Sequence, residues 1–316
     1  MPVDLLDRKL VFVTGKGGVG KSTVSAALAM LAARRGKRVL LGEVDAKGNL
    51  ADFFECGTTT FEEREIQPNL FAMSMNTEES LKEYLSLQLK IPLLARIGPL
   101  ARTFDFVANA APGVKEILTI GKFVFEVRQG TYDLVVVDAV ATGHIVGQLT
   151  APESINELVQ VGRVRNQTEW MVKILHDAAT TGLVIVTTPE EMPVNETSEL
   201  VDRLEATTPV DLAAIVVNRV LPELFGRSEE ALFETLAEPA GVAALTDAVN
   251  GPVQPVLDAA RLAVELRRSR AEHLAVLRER IDDRAPLMYL PYLFARSHGL
   301  RATHQLADRL GEELGY

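Results

Sequence analysis

Cysteine is nearly absent from this chain, which has a single thiol, Cys56, among its 316 residues. One thiol excludes an intrachain disulfide and any metal site built from several thiolates of one chain. The sequence also has no uncharged apolar run near the roughly 18 to 20 residues that a membrane-spanning helix needs. Its N-terminal residues lack the long apolar segment of a secretory signal. We therefore expect a reduced, cytoplasmic setting without stable membrane insertion.

Positive charge is also in short supply, because 33 basic side chains face 43 acidic ones and the formal net charge is −10. Broad footprints on DNA, RNA or anionic membranes are usually basic. Nucleic acid is therefore not an expected partner. The rest of the composition, 47% hydrophobic and 24% charged, is typical of a globular chain with a full core.

What the sequence does contain is an alternation of short apolar runs with longer helical patterns, which is typical of parallel βαβ units. Runs such as Leu-Val-Val-Val are apolar at every position, as strands covered by helices on both faces require. We predict an α/β fold with a doubly wound, mostly parallel sheet of about seven or eight strands. The runs that predict strands are residues 10–14, 38–44, 69–75, 133–138, 182–188, 212–218 and 287–290.

Two stretches are longer than ordinary connections between strands. Residues 76–131 open with a helix-capping pattern, Asn76 with Glu79 three positions later, and contain three prolines that would break them into short helices. We interpret this stretch as an inserted helical subdomain and residues 229–283 as a second helical insertion. Both would belong to one domain that spans residues 1–316.

A glycine-rich motif follows the first predicted strand and opens the first predicted helix. It reads Gly-Lys-Gly-Gly-Val-Gly-Lys-Ser and matches the P-loop pattern G-x-x-x-x-G-K-[ST]. Glycines let backbone N–H groups face phosphate oxygens, Lys21 would bring charge to the β and γ phosphates in binding and catalysis, and Ser22 would ligate Mg²⁺ directly. The motif therefore predicts a P-loop ATPase that binds Mg-ATP. The nucleotide-binding residues would be Gly15, Lys16, Gly17, Gly18, Val19, Gly20, Lys21, Ser22 and Thr23.

Three further polar residues stand where predicted strands end, at the edge where doubly wound sheets bind phosphates. Asp45 could orient the attacking water, Asp138 could hold Mg²⁺ through water, and Asn218 could meet an adenine edge. Each residue also has a structural interpretation, as an Asx turn at Asp45, a turn former at Asp138 and a strand-end cap at Asn218. His144, in the loop after Asp138, is given no catalytic role.

A second lysine, Lys16, stands inside a loop that already has a phosphate lysine, and it would otherwise be a solvated surface residue. With the other segments it gives the chain a pattern that resembles the ArsA family of deviant Walker A ATPases. That family includes the arsenite-pump ATPase and the targeting factor for tail-anchored membrane proteins. The matching segments are residues 15–23, 45–52 as switch I, 111–116, 138–144 as switch II, 187–191 and 216–218.

The resemblance implies a P-loop NTPase fold of the SIMIBI type and an ATPase that works as a dimer. In that arrangement Lys16 is a catalytic residue that reaches the partner's nucleotide, Asp45 orients the attacking water and Asn218 contacts adenine. Only one P-loop occurs in the chain. A machine with two sites would therefore be a homodimer, or a heterodimer with a related ATPase.

The sequence departs from the family pattern at both switches and at cysteine. Switch I reads Asp-Ala-Lys from Asp45 where Asp-Pro-Ala is usual, and switch II reads Ala-Val at 139–140 where Thr-Ala-Pro is usual. Without a Cys-x-x-Cys pair, the zinc-clasped dimer of the tail-anchor targeting factors is not expected. A single cysteine also cannot form the three-thiolate metalloid site of the arsenite ATPase.

The leading interpretation is a dimeric switch that couples its ATP state, through the helical subdomain, to a protein cargo or a hydrophobic-helix client. The apolar residues between 76 and 130 fit a client groove, and they equally fit a simple core. The alternative function is the soluble energising subunit of an anion export system. A chromosome-partitioning or cell-division switch of the same superfamily would need a basic surface or a terminal amphipathic membrane helix. The acidic charge balance disfavours the first, and the C-terminal pattern does not decide the second.

Overall fold

The computed structural model describes residues 4–45, 48–89, 113–158, 163–223, 226–294 and 299–316. The strands are β1 Leu10–Gly15, β2 Val39–Glu43, β3 Arg64–Gln67, β4 Leu70–Ser74, β5 Leu134–Ala141, β6 Thr181–Thr187, β7 Leu212–Val220 and β8 Leu287–Pro291. The helices are α1 Lys21–Arg34, α2 Asn49–Phe54, α3 Thr77–Leu89, α4 Val114–Gln129, α5 Thr142–Leu158, α6 Arg163–His176, α7 Glu191–Thr207, α8 Arg227–Leu236, α9 Pro239–Val249, α10 Gln254–Ile281 and α11 Leu300–Glu313.

Among the described residues, the strands form one 8-stranded sheet in the order β3-β4-β2-β5-β1-β6-β7-β8. Every neighbouring pair is parallel except β3 and β4, which are antiparallel. The predicted α/β fold with a mostly parallel sheet is therefore confirmed. Each predicted strand is present, and the largest difference is at β5, which continues to Ala141 instead of ending at Asp138.

The strand β3 is the one that the sequence pattern did not predict. It reads Arg-Glu-Ile-Gln, and its side chains are exposed or half-buried. β3 lies at the edge of the sheet and pairs only with β4 among the described strands. An edge strand does not need the continuous apolar run of a strand that is covered on both faces.

Two layers of buried apolar side chains cover the two faces of the sheet. Because successive side chains of a strand alternate between faces, Val11 and Val13 of β1 join one layer while Leu10 and Phe12 join the other. Most of α1 is buried in the first layer, where it packs against α11. The strand and the helix on either side of the glycine-rich motif are therefore both anchored in the core.

Helices occupy the described parts of both predicted helical stretches. The Asn76 side chain accepts hydrogen bonds from the backbone N–H groups of Glu78 and Glu79, at 2.9 and 3.1 Å, and so caps the start of α3 as predicted. The three prolines between 90 and 112 lie outside the described residues. α8, α9 and α10 fall in the second stretch. Among the described residues, no helix is long and apolar enough to span a bilayer.

Candidate nucleotide-binding site

The predicted site residues follow strands that are neighbours in the sheet. Since β2, β5, β1, β6 and β7 are adjacent and parallel, their carboxyl ends share one edge. The P-loop follows β1, Asp45 follows β2, Asp138 lies within β5 and Asn218 within β7. The fold therefore brings segments that are up to about two hundred residues apart to a single edge, where α/β sheets bind their ligands.

The P-loop is held more tightly at its two ends than in its middle. Gly15 has φ 153°, and a Cβ there would lie 2.2 Å from the Val186 carbonyl oxygen. Gly20 has φ 95°, and a Cβ there would lie 2.3 Å from the Asn218 Nδ2 atom. At Gly17 and Gly18 a Cβ would meet no atom of the described residues within 4 Å. Steric contact with β6 and β7 therefore fixes the ends of the loop, while no such contact from the described residues restricts its middle.

The two lysines of the loop make different contacts. The Lys21 ammonium lies 3.4 Å from the Lys16 carbonyl oxygen, so it stays over its own loop. The Lys16 ammonium instead forms an ion pair with Glu196 on α7, and the two side chains are 28% and 31% exposed. Sequence reasoning missed Glu196, which lies 180 residues from Lys16 and belongs to no local motif.

Asp138 is the buried carboxylate of the site, and only 6% of the residue is exposed. Burial raises its pKa to about 6, while a hydrogen bond from Ser22 and the positive charge of Lys21 act in the opposite direction. The Ser25 hydroxyl donates a further hydrogen bond to it, at 3.3 Å. The cluster therefore joins the start of α1 to β5 through hydroxyl and carboxylate oxygens.

Glu43 is a second buried acid beside Asp138, and sequence reasoning missed it. It is the last residue of β2, is fully buried, and pairs in register with Asp138 of β5. Its negative charge is one of the causes that raise the pKa of Asp138. Ser74 donates a 3.2 Å hydrogen bond to the Glu43 carboxylate. A glutamate inside the apolar run Val-Leu-Leu-Gly-Glu-Val was the available signal.

Asn218 is buried and holds the P-loop. Its Nδ2 donates a 2.9 Å hydrogen bond to the Val19 carbonyl oxygen, and its Oδ1 accepts one from the Arg219 backbone N–H at 2.9 Å. Arg219 has φ 58°, and Arg270 of α10 approaches its carbonyl oxygen at 3.4 Å. β7 continues to Val220, so the interpretation of Asn218 as a strand-end cap is wrong, and its side chain instead holds the P-loop from within the strand. The adenine contact stays a prediction.

The described parts of the remaining predicted segments adjoin β2, α4 and α5. Asp45 is exposed directly after β2, and the two residues that follow it lie outside the described ranges. His144 is exposed in the first turn of α5. The segment 111–116 leads into α4, and its first two residues are not described. The exposed position of His144 gives no reason to assign it a role in proton transfer.

A glycine-rich loop that opens a helix at the carboxyl edge of a parallel sheet defines the P-loop class of nucleotide-binding proteins. The family model of the anion-transporting ATPases, ArsA_ATPase, matches residues 8–173 and 158–233 of the chain. The chain therefore belongs to this family, as the sequence resemblance indicated, and it is an ATPase.

Several named relatives are similar to most of the chain. The ATPase BagA of Mycobacterium tuberculosis is 33% identical over 232 residues, which cover 70% of this chain and 68% of BagA. A protein of Aquifex aeolicus that carries the name arsenical pump-driving ATPase 2 is 29% identical over 68% of this chain and 81% of its own length. The ATPase GET3 of Chaetomium globosum is 28% identical over 69% of this chain and 75% of its own length.

Proposed function

We propose that this chain is a magnesium-dependent switch ATPase that works as a dimer, in which Lys16 of each chain acts on the nucleotide of the other. The position of Lys16 carries the proposal. Lys21 already lies over its own loop, whereas the Lys16 ammonium is partly exposed and pairs with α7. A second cation at the rim of a P-loop is suited to act as a finger in trans, because it can approach the phosphates of a facing site.

Within each site, the loop and its neighbours would divide the work on Mg-ATP. The N–H groups of residues 15–23 and the Lys21 ammonium would bind the phosphates. Asp45, exposed directly after β2, would orient the attacking water. In this arrangement Lys21 binds the nucleotide of its own chain. Hydrolysis in that site requires Asp45 of the same chain and Lys16 of the other chain.

The oxygen groups of Ser22 and Asp138 fit a magnesium ion. Mg²⁺ prefers oxygen ligands, and the Ser22 hydroxyl already contacts the buried Asp138 carboxylate. A cation would stabilise the charged form of Asp138, whose pKa is raised by burial and by Glu43. Ser22 would bind the ion directly and Asp138 through water. When bound, the ion would neutralise charge on the β and γ phosphates.

The ATP state would be coupled to a protein or hydrophobic-helix client through the helical stretches, in a cytoplasmic dimer of identical or related chains. Support comes from the segment between β7 and β8, where Leu262 and Leu266 of α10 are 56% and 45% exposed. The second candidate is an energising subunit for anion export. The name of the family and that of the Aquifex relative favour it.

Mixing two inactive variants tests the trans arrangement. Lys16→Ala removes the finger and Asp45→Asn removes the water-orienting carboxylate, so each variant alone should bind ATP and lose most turnover. In a mixed dimer, the Asp45→Asn chain donates its Lys16 to the site that retains Asp45. Because half of randomly assorted dimers are mixed and each has one active site, an equal mixture should recover about a quarter of wild-type turnover.

A matched control uses the same two changes in one chain. In a dimer of wild type with the Lys16→Ala/Asp45→Asn double variant, each site lacks either the lysine or the aspartate. These mixed dimers should therefore be inactive, and adding the double variant should lower the turnover of the wild-type chains. If mixed dimers of the single variants form, as detected by two different affinity tags, and no turnover returns, Lys16 does not act in trans.

A further inference from the structure

Glu196 links the P-loop lysine to the segment that follows Asp138. One of its carboxylate oxygens pairs with Lys16, and the other accepts a 3.4 Å hydrogen bond from the hydroxyl of Thr142, the first residue of α5. Arg203, two turns further along α7, donates a 3.0 Å hydrogen bond to the Thr142 carbonyl oxygen. The helix α7 therefore contacts Thr142 at two points, and one of them is the residue that holds Lys16.

The ion pair with Glu196 engages the Lys16 ammonium, which is the group that the trans arrangement needs. While the pair is formed, the Lys16 ammonium is held against α7 and its charge is balanced by a carboxylate of its own chain. Both side chains are about a third exposed, at 28% and 31%. Ion pairs with this exposure are weak and are screened by salt. The polyphosphate of a second chain, which carries several negative charges, can therefore replace the single carboxylate.

We propose that Glu196 is a positioning residue that retains Lys16 in its own chain until the nucleotide of a second chain takes its place. This role rests on the dimeric switch proposed above. When Lys16 leaves, Glu196 keeps its contact with Thr142 but loses its counter-ion. The exchange therefore alters the environment of Thr142, the first residue of α5. Pairing of two chains would thus be communicated to the segment after Asp138.

Replacing the carboxylate isolates this role with little change in shape. Glu196→Gln keeps the side-chain size and the hydrogen bond to Thr142 but removes the charge that pairs with Lys16. Glu199→Gln is the matched control, because Glu199 is exposed on the same helix, three residues further along. Glu196→Asp keeps the charge on a shorter side chain and should give an intermediate result in each measurement.

The first measurement requires neither nucleotide nor a second chain. Dilute protein is treated briefly with acetic anhydride, and acetylation of Lys16 is compared with that of the exposed Lys9 by peptide mapping. Losing a partly exposed ion pair should raise the relative rate at Lys16 about two- to fivefold in Glu196→Gln. Glu199→Gln should leave it unchanged. An equal Lys16 rate in wild type and Glu196→Gln would overturn the proposal.

The second measurement follows turnover per chain against protein concentration at saturating Mg-ATP. In Glu196→Gln the half-saturating protein concentration should fall about two- to fivefold, because Lys16 no longer has to leave a partner in cis. In a Lys16→Ala background, where turnover is mostly lost, dimer formation at saturating Mg-ATP is followed by sedimentation against protein concentration. Glu196→Gln should have no effect there, and a shift equal to that seen with Lys16 present would overturn the proposal.

Failure of this role and failure of the dimeric switch give different results. If the mixed single variants recover activity while Glu196→Gln leaves the half-saturating concentration unchanged or raises it, only the positioning role is overturned. If the mixture recovers nothing although mixed dimers form, the trans role of Lys16 is overturned, and the positioning role falls with it.

Discussion

The carboxyl edge of the central strands and the outer helical segment, α8 to α10, differ in how their side chains are buried. Every residue of β1 and β6 is buried. By contrast, α9 has no buried residue, and the 28 residues of α10 include three, Leu257, Leu277 and Ile281. Large apolar side chains of the outer helical segment are exposed instead, namely Leu232, Val249, Val256, Leu262, Leu266 and Val276.

The difference in burial means that folding constrains the sequence strongly at the strand edge and weakly in the outer helical segment. At the strand edge, packing and hydrogen bonding fix the backbone of the P-loop, so a change to a group that holds this backbone acts on both folding and nucleotide binding, whereas a change to Lys21 should act on binding. In the outer helical segment, many side chains contribute little burial, so folding places few demands on them. Variants that change one property and leave the other intact can therefore distinguish the two regions.

The largest effect is expected for Lys21→Ala, which separates binding from folding at the strand edge. Lys21 is half-buried over the loop, and its ammonium supplies charge-assisted contacts to phosphates. Each such contact is worth about 1.5–3 kcal/mol, so ATP affinity should fall at least about 100-fold. Calorimetric titration measures the loss, and Lys9→Ala, on the exposed Lys9, is the control. Wild-type affinity in a folded Lys21→Ala protein would refute the site.

Much of this edge could be predicted from sequence, because its features are local. The P-loop is one continuous motif, and continuously apolar runs predicted β1 and β5 to β7. The contacts that complete the site are not local. The Lys16–Glu196 pair joins residues 180 positions apart, and the Asn218–Val19 hydrogen bond joins residues 199 positions apart. Only the order of strands in the sheet brings such groups together.

In the second helical insertion, the sequence predicts the helices but not which of their faces are buried. From their sequence we interpret residues 229–283 as a second helical insertion, and α8 to α10 lie there. A helical pattern of this kind does not distinguish a buried face from an exposed one, since both carry leucine and valine at helical intervals. Leu277 is fully buried while Leu262, on the same helix, is 56% exposed. Leu277 belongs to one of the two apolar layers that cover the sheet, and Leu262 does not.

The next largest effect comes from a matched pair of substitutions on α10. Leu277→Ala should lower the free energy of unfolding by about 2–5 kcal/mol, because it leaves a cavity in the core. Leu262→Ala should change it by no more than about 0.5 kcal/mol. Both replace leucine by alanine within one helix, so helix propensity cancels and burial alone differs. Urea denaturation of the two variants measures both values, and similar losses would contradict the contrast between the regions.

The smallest expected effect, and the one that joins folding to binding, is at Asn218. Asn218→Ala leaves the Val19 carbonyl oxygen without the 2.9 Å hydrogen bond that holds the loop. Losing a buried partner of this kind costs about 1–3 kcal/mol, part of it in stability and part in the ordering of the P-loop. The affinity for ATP should therefore fall, and the exposed Asn166 of α6 provides the control substitution Asn166→Ala.

Inorganic triphosphate separates the two roles of Asn218, because it carries the phosphates of ATP without adenine. A loop that has lost its hydrogen bond binds phosphates less well whatever is attached to them, so the triphosphate affinity of Asn218→Ala should fall. Any additional loss for ATP measures the adenine contact that the sequence predicts. If triphosphate binding is unchanged while ATP binding weakens, Asn218 acts on the base alone. The hydrogen bond to Val19 would then be dispensable for the phosphate site.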